Sequence, residues 1–170
     1  MTAAQAQQAE NGRRLLTSFD RLPGTDAQGT MDAGVLQDWA TRVLQLAGES
    51  GLKEIAEMLV GQILANAPAD ADGTWPCQPV RELLEDLQNG LVERSLRDKL
   101  YNRRGLTTRS PEDGGGQELA LGQQYRDQAG VLADRWPRIA AVLRDLAAMY
   151  DTDARQEESK AERFRQGQQR

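Results

Sequence analysis

The most concentrated charge in this sequence is a basic segment at residues 92–109. Six cations stand there against Glu93 and Asp98, a balance of +4 in a chain whose net charge is −5. The cations are Arg94, Arg97, Lys99, Arg103, Arg104 and Arg109. Guanidinium and ammonium groups bind phosphate and carboxylate oxygens. The segment therefore predicts contact with an anionic partner, either a nucleic-acid backbone or an acidic patch on another protein.

Helical spacing places part of this segment on one side of a helix and leaves Val92, Leu96 and Leu100 for the core. The predicted partner-binding residues are Arg94, Arg97, Tyr101, Arg103, Arg104 and Arg109. The alternative is a solvated helix face whose cations pair with acids of the preceding helix, such as Glu82, Glu85 and Asp86.

The chain has no histidine and one cysteine, Cys77. Histidine is the commonest general acid or base and the commonest metal ligand near neutral pH. Cysteine supplies thiolate nucleophiles and zinc-binding sulfurs. Most standard catalytic and metal sites therefore cannot be built from these residues, and we predict no catalytic residue, no metal and no cofactor.

Three weaker patterns do not change that prediction. The turn at 113–117 could offer backbone donors to an anion, but it lacks the lysine and hydroxyl residue of a phosphate-binding P-loop. Glutamates three residues apart, as in Glu54 and Glu57, occur in carboxylate metal sites, which also recruit histidine. Cys77 has no histidine to act as its base. We interpret these residues as a flexible loop, exposed charges and a small buried side chain.

The composition also limits location and partners. A net charge of −5 argues against generic binding to nucleic acid or to anionic membranes, which rests on a positive field. The first residues lack the basic and apolar regions of a signal peptide. No apolar run approaches the roughly 20 residues of a membrane span. We expect a cytoplasmic protein that does not enter membranes.

Apolar residues recur at three- and four-residue steps through most of the chain, and no alternating strand pattern is present. This predicts an all-α helical bundle of about six to seven helices. The expected organisation is a frayed N-terminus at 1–12, a three-helix layer at 13–67, a four-helix bundle at 75–154 and a polar helical or disordered tail at 155–170. The loop at 67–74 lacks periodicity and is the predicted boundary.

Two of these helices carry the clearest signals. Asp32 is the predicted N-cap of a helix whose core stripe comprises Val35, Leu36, Trp39, Val43 and Leu46. Near the other end of the chain, the most regular stripe ends at Trp136, which we predict to be a core anchor before Pro137. The stripe comprises Leu121, Tyr125, Ala129, Leu132 and Trp136.

About half of the chain, from Trp75 to about Arg163, resembles an uncharacterised bacterial helical domain found in the C-terminal parts of larger proteins. The resemblance is carried by Trp75-Pro76, Pro79-Val80-Arg81, Tyr101-Asn102, Arg104-Gly105, Arg109-Ser110, Gly114-Gly115, Gln117-Glu118-Leu119-Ala120, Tyr125-Arg126 and Trp136-Pro137-Arg138. No activity is attached to that domain. The resemblance implies only a module used in larger assemblies.

The function expected from these observations is binding without catalysis. We predict a protein–protein interaction subunit or adaptor of a larger cytoplasmic complex, which contacts another protein through a helix face. The alternative is a small subunit of a nucleoprotein complex that contacts nucleic acid through residues 94–109. A homo-oligomer is left open.

Overall fold

The structure is a computed structural model, and it describes Gln7 and residues 21–105, 110 and 113–168. The described part contains six helices and, apart from one isolated bridge between Thr25 and Met31, no strand pairing. The helices are α1 (Ala33–Glu49), α2 (Lys53–Leu64), α3 (Gln78–Leu87), α4 (Gly90–Asn102), α5 (Gly116–Leu132) and α6 (Pro137–Gln168). The predicted all-α class with about six helices is confirmed. The predicted frayed start and the first short helix lie outside the described residues, except for Gln7.

The chain divides into two compact units, Met1–Lys99 and Leu100–Arg170. The division falls near the end of α4. From the sequence we predicted a boundary in the loop at 67–74. That loop lies inside the first unit, where Asp70 ties it down. The Asp70 carboxylate accepts the backbone N–H of Gln78 at 3.1 Å and lies 2.5 Å from the Arg81 guanidinium. A loop held this way is part of the fold, although its composition is that of a surface connection.

Two loops of the first unit match at four of five residues and have similar conformations. Asp26–Thr30 reads Asp-Ala-Gln-Gly-Thr and precedes α1, and Asp70–Thr74 reads Asp-Ala-Asp-Gly-Thr and precedes α3. In each loop the aspartate N–H donates to the threonine carbonyl at 2.9 Å. In each loop the glycine has a positive φ, +86° in the first and +83° in the second, which favours glycine. Two pentapeptides that differ at one position therefore form similar turns before two helices.

The first helix of the described part begins as the sequence predicts but presents a different face. The Asp32 carboxylate accepts the Val35 N–H at 3.0 Å, so the predicted N-cap is confirmed. The predicted core stripe is wrong in part, because Val35 is 48% exposed and Leu46 is 45% exposed. The helix buries Leu36 and Ala40 completely. These residues lie about 80–140° around the helix from Val35 and Leu46.

Glycine allows a close approach between α2 and α4 in the first unit. A Cβ atom at Gly61 would overlap the carbonyl oxygen of Val92 and would lie 2.8 Å from the Cβ of Ser95. Val92 and Leu96 are fully buried on α4, and Val60 and Leu64 are fully buried on α2. Any side chain at Gly61 would therefore separate two helices that meet backbone to backbone.

In the second unit, α5 and α6 form an antiparallel pair along a seam of small residues. Going along the chain, Gly115, Gly122 and Ala129 are spaced by seven, and so are Ala140, Ala147, Ala154 and Ala161. All of these residues are buried. A Cβ atom at Gly115 would overlap the backbone of Ala154, and one at Gly122 would lie 3.3 Å from the carbonyl oxygen of Ala147. A seven-residue repeat of small side chains thus lets the two helix backbones come close.

The long α6 runs from Pro137 to Gln168, so the described part of the predicted polar tail is helical. Ala161 is buried there, while charged pairs such as Lys160 with Glu157, 2.8 Å apart, occupy the helix surface. At the other end of α6, Trp136 is half-buried with the Arg135 guanidinium 4.5 Å from its ring centre. Trp136 is therefore less buried than we predicted for a core anchor. No helix in the described ranges is long and apolar enough to cross a membrane.

Candidate functional site

The structure separates the predicted partner-binding residues into different environments. Arg94 is exposed on α4, and the Arg97 guanidinium contacts the Asp98 carboxylate at 2.7 Å. Arg103 is exposed just after α4. Tyr101 and Arg104 belong to the second unit and contact other side chains of that unit, and Arg109 lies outside the described residues. The six residues therefore do not form one set of exposed side chains in the described part.

Tyr101 belongs to a tyrosine cluster that contains all three tyrosines of the chain, Tyr101, Tyr125 and Tyr150. The Tyr150 ring is at the centre and is 2% exposed. It stacks on Tyr125 with ring centres 5.7 Å apart and meets Tyr101 at an angle of 44° with centres 5.4 Å apart. The Tyr101 hydroxyl donates a 2.6 Å hydrogen bond to the Asp153 carboxylate. The cluster lies within the second unit, where it connects Tyr101 to the α5–α6 pair.

Arg104 closes this cluster through a buried ion pair with Glu118. The Arg104 Nη2 atom lies 2.6 Å from Glu118 Oε1, and the side chain of Glu118 is only 1% exposed. The Arg104 guanidinium also lies 5.6 Å from the centre of the Tyr150 ring. Glu118 lies in the first turn of α5, where the helix dipole favours a negative charge. Arg104 thus has an acidic partner on α5, whereas the sequence suggested acids of the helix preceding α4.

The environment of the cluster keeps its phenols protonated. Burial raises the pKa of Tyr150 to about 12, and burial also raises the pKa of Tyr125. The hydrogen bond to Asp153 raises the pKa of Tyr101. A phenol with a raised pKa is a hydrogen-bond donor near neutral pH and a poor general base. These three residues are therefore suited to packing and hydrogen bonding.

We expect this cluster to make the stability of the chain sensitive to alkali. An unfolded tyrosine has a pKa of about 10, and Tyr150 titrates at about 12 in the folded chain. Below about pH 10 the protonated Tyr150 makes its full contribution to the free energy of unfolding. That contribution declines as pH rises from about 10 to about 12, because the unfolded chain releases the phenol proton before the folded chain does. Phenolate absorbance followed during alkaline titration should show a separate ionisation of Tyr150 at high pH. Tyr150→Phe should remove that ionisation. Three tyrosines titrating together near 10 would contradict this description.

The glycine-rich turn before α5 already faces a carboxylate of the same chain. Glu158 of α6 accepts the Gly115 N–H at 3.4 Å and lies 2.7 Å from the Arg165 guanidinium. The hydrogen bond from Arg165 is the main reason why the pKa of Glu158 is lowered. A backbone donor that could have bound an external anion therefore faces Glu158.

The other candidate chemical groups also have structural contacts. Glu57 is buried and accepts the Asn89 side-chain amide at 2.8 Å, which links α2 to the start of α4. Cys77 is 4% exposed, and burial raises the pKa of its thiol. Among the residues that the structure describes, no group of three or more acidic or cysteine side chains could hold a metal ion.

The two similar loops of the first unit line a shallow groove of about 360 Å³. Its walls are residues 28–31 on one side and residues 69–71 with Cys77 and Pro79 on the other. The charged side chain in this lining is Asp70, whose carboxylate already contacts Gln78 and Arg81. The groove thus offers mostly backbone and small side chains.

No family model, curated protein or solved structure matches this chain. The resemblance of residues 75–163 to a bacterial helical domain therefore stays a prediction.

The surface feature that the sequence analysis missed is apolar. Seven large apolar side chains are exposed in the described part, and four of them lie on α1 and α2. These four are Val35, Leu46, Ile55 and Met58, which we call the α1–α2 apolar face. The helical period was visible in the sequence, but it was assigned to the core of the chain itself.

Proposed function

We propose that this chain is a non-enzymatic protein–protein interaction subunit or adaptor of a larger cytoplasmic complex, and that it binds a partner through the α1–α2 apolar face. The observation that carries the proposal is the outward position of Val35 and Leu46. They belong to the most apolar stripe of α1, yet nearly half of each side chain is exposed. A contiguous exposed apolar patch marks a protein–protein contact site, and the proposal treats these side chains as parts of one such patch.

The second helix of the pair supports the same function. Ile55 is 40% exposed and Met58 is 39% exposed, and they are three residues apart on α2, which packs against α1. Methionine adapts its shape to a partner, and apolar side chains supply most of the favourable free energy of association. A partner helix or loop that covers these positions would remove apolar surface from water.

Three ion pairs within the chain support the non-enzymatic part of this proposal. Glu118 is paired with Arg104, Asp151 with Arg126 and Asp70 with Arg81, at distances of 2.6, 2.7 and 2.5 Å. Catalytic acids and bases have to reach a substrate in a cleft. In these three pairs, each acid is bound to an arginine of the same chain and holds loops and helices together.

A second candidate function is contact with nucleic acid through the basic segment. The observation that favours it is that Arg94, Lys99 and Arg103 are exposed. Each could neutralise a phosphate, and binding would then weaken steeply with salt. Arg104 would not be available for this role while it pairs with the buried Glu118.

Affinity purification from the native cell, with and without nuclease, tests the two candidates against each other. We expect at least one protein to copurify in both conditions, because the apolar face binds protein directly. Partners that disappear after nuclease treatment, together with salt-sensitive binding of the purified chain to DNA or RNA, would instead favour the second candidate. Reversal of Arg94 and Arg103 to glutamate should abolish that salt-sensitive binding only if the second candidate is correct.

A further inference from the structure

The exposed stripe of α1 carries both apolar and charged side chains in a particular order. Val35, Arg42 and Leu46 fall within about 40° of one another around the helix, with Trp39 beside them. Val35, Arg42 and Leu46 are exposed, and Trp39 is half-buried. Asp38 is also exposed and lies on the flank of the stripe nearer Arg42. The stripe therefore has an apolar residue at each end and a cation near its centre, with an acid four residues before that cation.

We propose that the α1 stripe binds the α1 stripe of a second copy of this chain in an antiparallel arrangement. This inference rests on the proposed function, since it names the occupant of part of the α1–α2 apolar face. An isologous contact requires a patch that is complementary to itself after a twofold rotation. The order of residues along α1 meets that requirement.

The complementarity follows from the register. When Val35 is placed opposite Leu46 of the second copy, Trp39 comes opposite Arg42 of the second copy. Asp38 is the chain neighbour of Trp39 and lies on the same flank as Arg42, so Asp38 meets the cation of the other helix. The twofold axis repeats every contact, which gives two apolar pairs and two pairs of opposite charge.

The length of the helix suits this arrangement. With 17 residues, α1 extends for about 25 Å, which is enough for three turns of side chains to meet between the copies. The N-cap and the buried residues Leu36 and Ala40 lie outside the stripe. Pairing through the stripe therefore leaves the N-cap and these buried residues in place.

Charge exchange between Asp38 and Arg42 tests the proposal on the full chain by analytical ultracentrifugation. We expect the wild-type chain to pass from monomer to dimer as its concentration rises. Arg42→Asp and Asp38→Arg should each weaken the dimer by about tenfold, because each places like charges opposite one another. The double variant, with both changes, should restore the dimer to within about threefold of wild type. Arg144→Asp, an exposed change on α6, is the matched control and should leave the dimer unchanged.

Each outcome decides the proposal, provided that circular dichroism shows folded variants. A chain that stays monomeric at all concentrations overturns it, and so does a dimer that is insensitive to Val35→Ser. Loss of the dimer in both single variants without recovery in the double variant overturns the antiparallel register. If the chain is monomeric but a nuclease-resistant partner still depends on Val35 and Leu46, the second-copy inference fails and the proposed function stands.

Discussion

Replacing Glu118 with alanine is expected to lower the free energy of unfolding by about 3–5 kcal/mol, the usual cost of breaking a buried ion pair from one side. Glu118 is 1% exposed and lies 2.6 Å from the Arg104 guanidinium, whose side chain is 17% exposed. The substitution leaves a positive charge with little access to water beside the Tyr150 ring. The loss of favourable charge in the first turn of α5 adds to the effect.

The half-exposed pair of Arg126 and Asp151 is the control for this prediction. Its atoms are 2.7 Å apart, but the two side chains are 38% and 31% exposed. Asp151→Ala should therefore cost less than about 1 kcal/mol. Chemical denaturation of both variants measures the difference. The double variant Arg104→Met with Glu118→Leu should recover most of the loss, because apolar replacement of both partners leaves no buried charge. Equal costs for Glu118→Ala and Asp151→Ala would show that the Glu118 pair is not buried in solution.

Replacing Gly61 with alanine is expected to destabilise the first unit by about 1–3 kcal/mol, the range found for overpacked cores. The added Cβ atom would overlap the Val92 carbonyl oxygen and press against Ser95. Both contacts involve backbone or atoms next to it, so α2 and α4 would have to move apart.

Gly130 of α5 provides the matched control, because an added Cβ atom there would meet nothing within 4 Å. Alanine is a better helix former than glycine by about 0.5–1 kcal/mol. Gly130→Ala should therefore raise the free energy of unfolding, while Gly61→Ala should lower it. Thermal and urea denaturation of the two variants would measure whether each change raises or lowers the free energy of unfolding. A stabilised Gly61→Ala chain would mean that α2 and α4 are farther apart than described.

Local signals in the sequence predict much of this fold. The period of apolar residues locates the described helices, and the side chain of Asp32 caps α1 as expected for a residue of that type before a helix. Periodicity does not say which side of a broad apolar stripe faces inward. Leu36 and Ala40 are buried in preference to Val35 and Leu46, because neighbouring helices determine how α1 is rotated. The exposed apolar face could therefore not be predicted from the stripe alone.

The contacts of the second unit could also be predicted only in part from the sequence. The spacing of Gly115, Gly122 and Ala129 against Ala140, Ala147 and Ala154 was present in the sequence and could have predicted the close α5–α6 pair. Nothing in the sequence around Glu118 indicates that it is buried, since a glutamate beside a glycine-rich loop is usually solvated. Arg104 therefore looked like a surface cation, and only the fold shows its contact with Glu118 and Tyr150.

The claim that the α1–α2 apolar face binds protein is tested most directly by comparing nuclease-treated purifications from the native cell. Three tagged chains are needed: wild type, the Val35→Ser and Leu46→Ser double variant, and Val131→Ser. Val131 is 75% exposed on α5, outside the face, and is the matched control. We predict that the double variant loses at least one protein, or a differently tagged second copy, that wild type and the control retain. Identical sets of bound proteins for all three folded chains would contradict the claim.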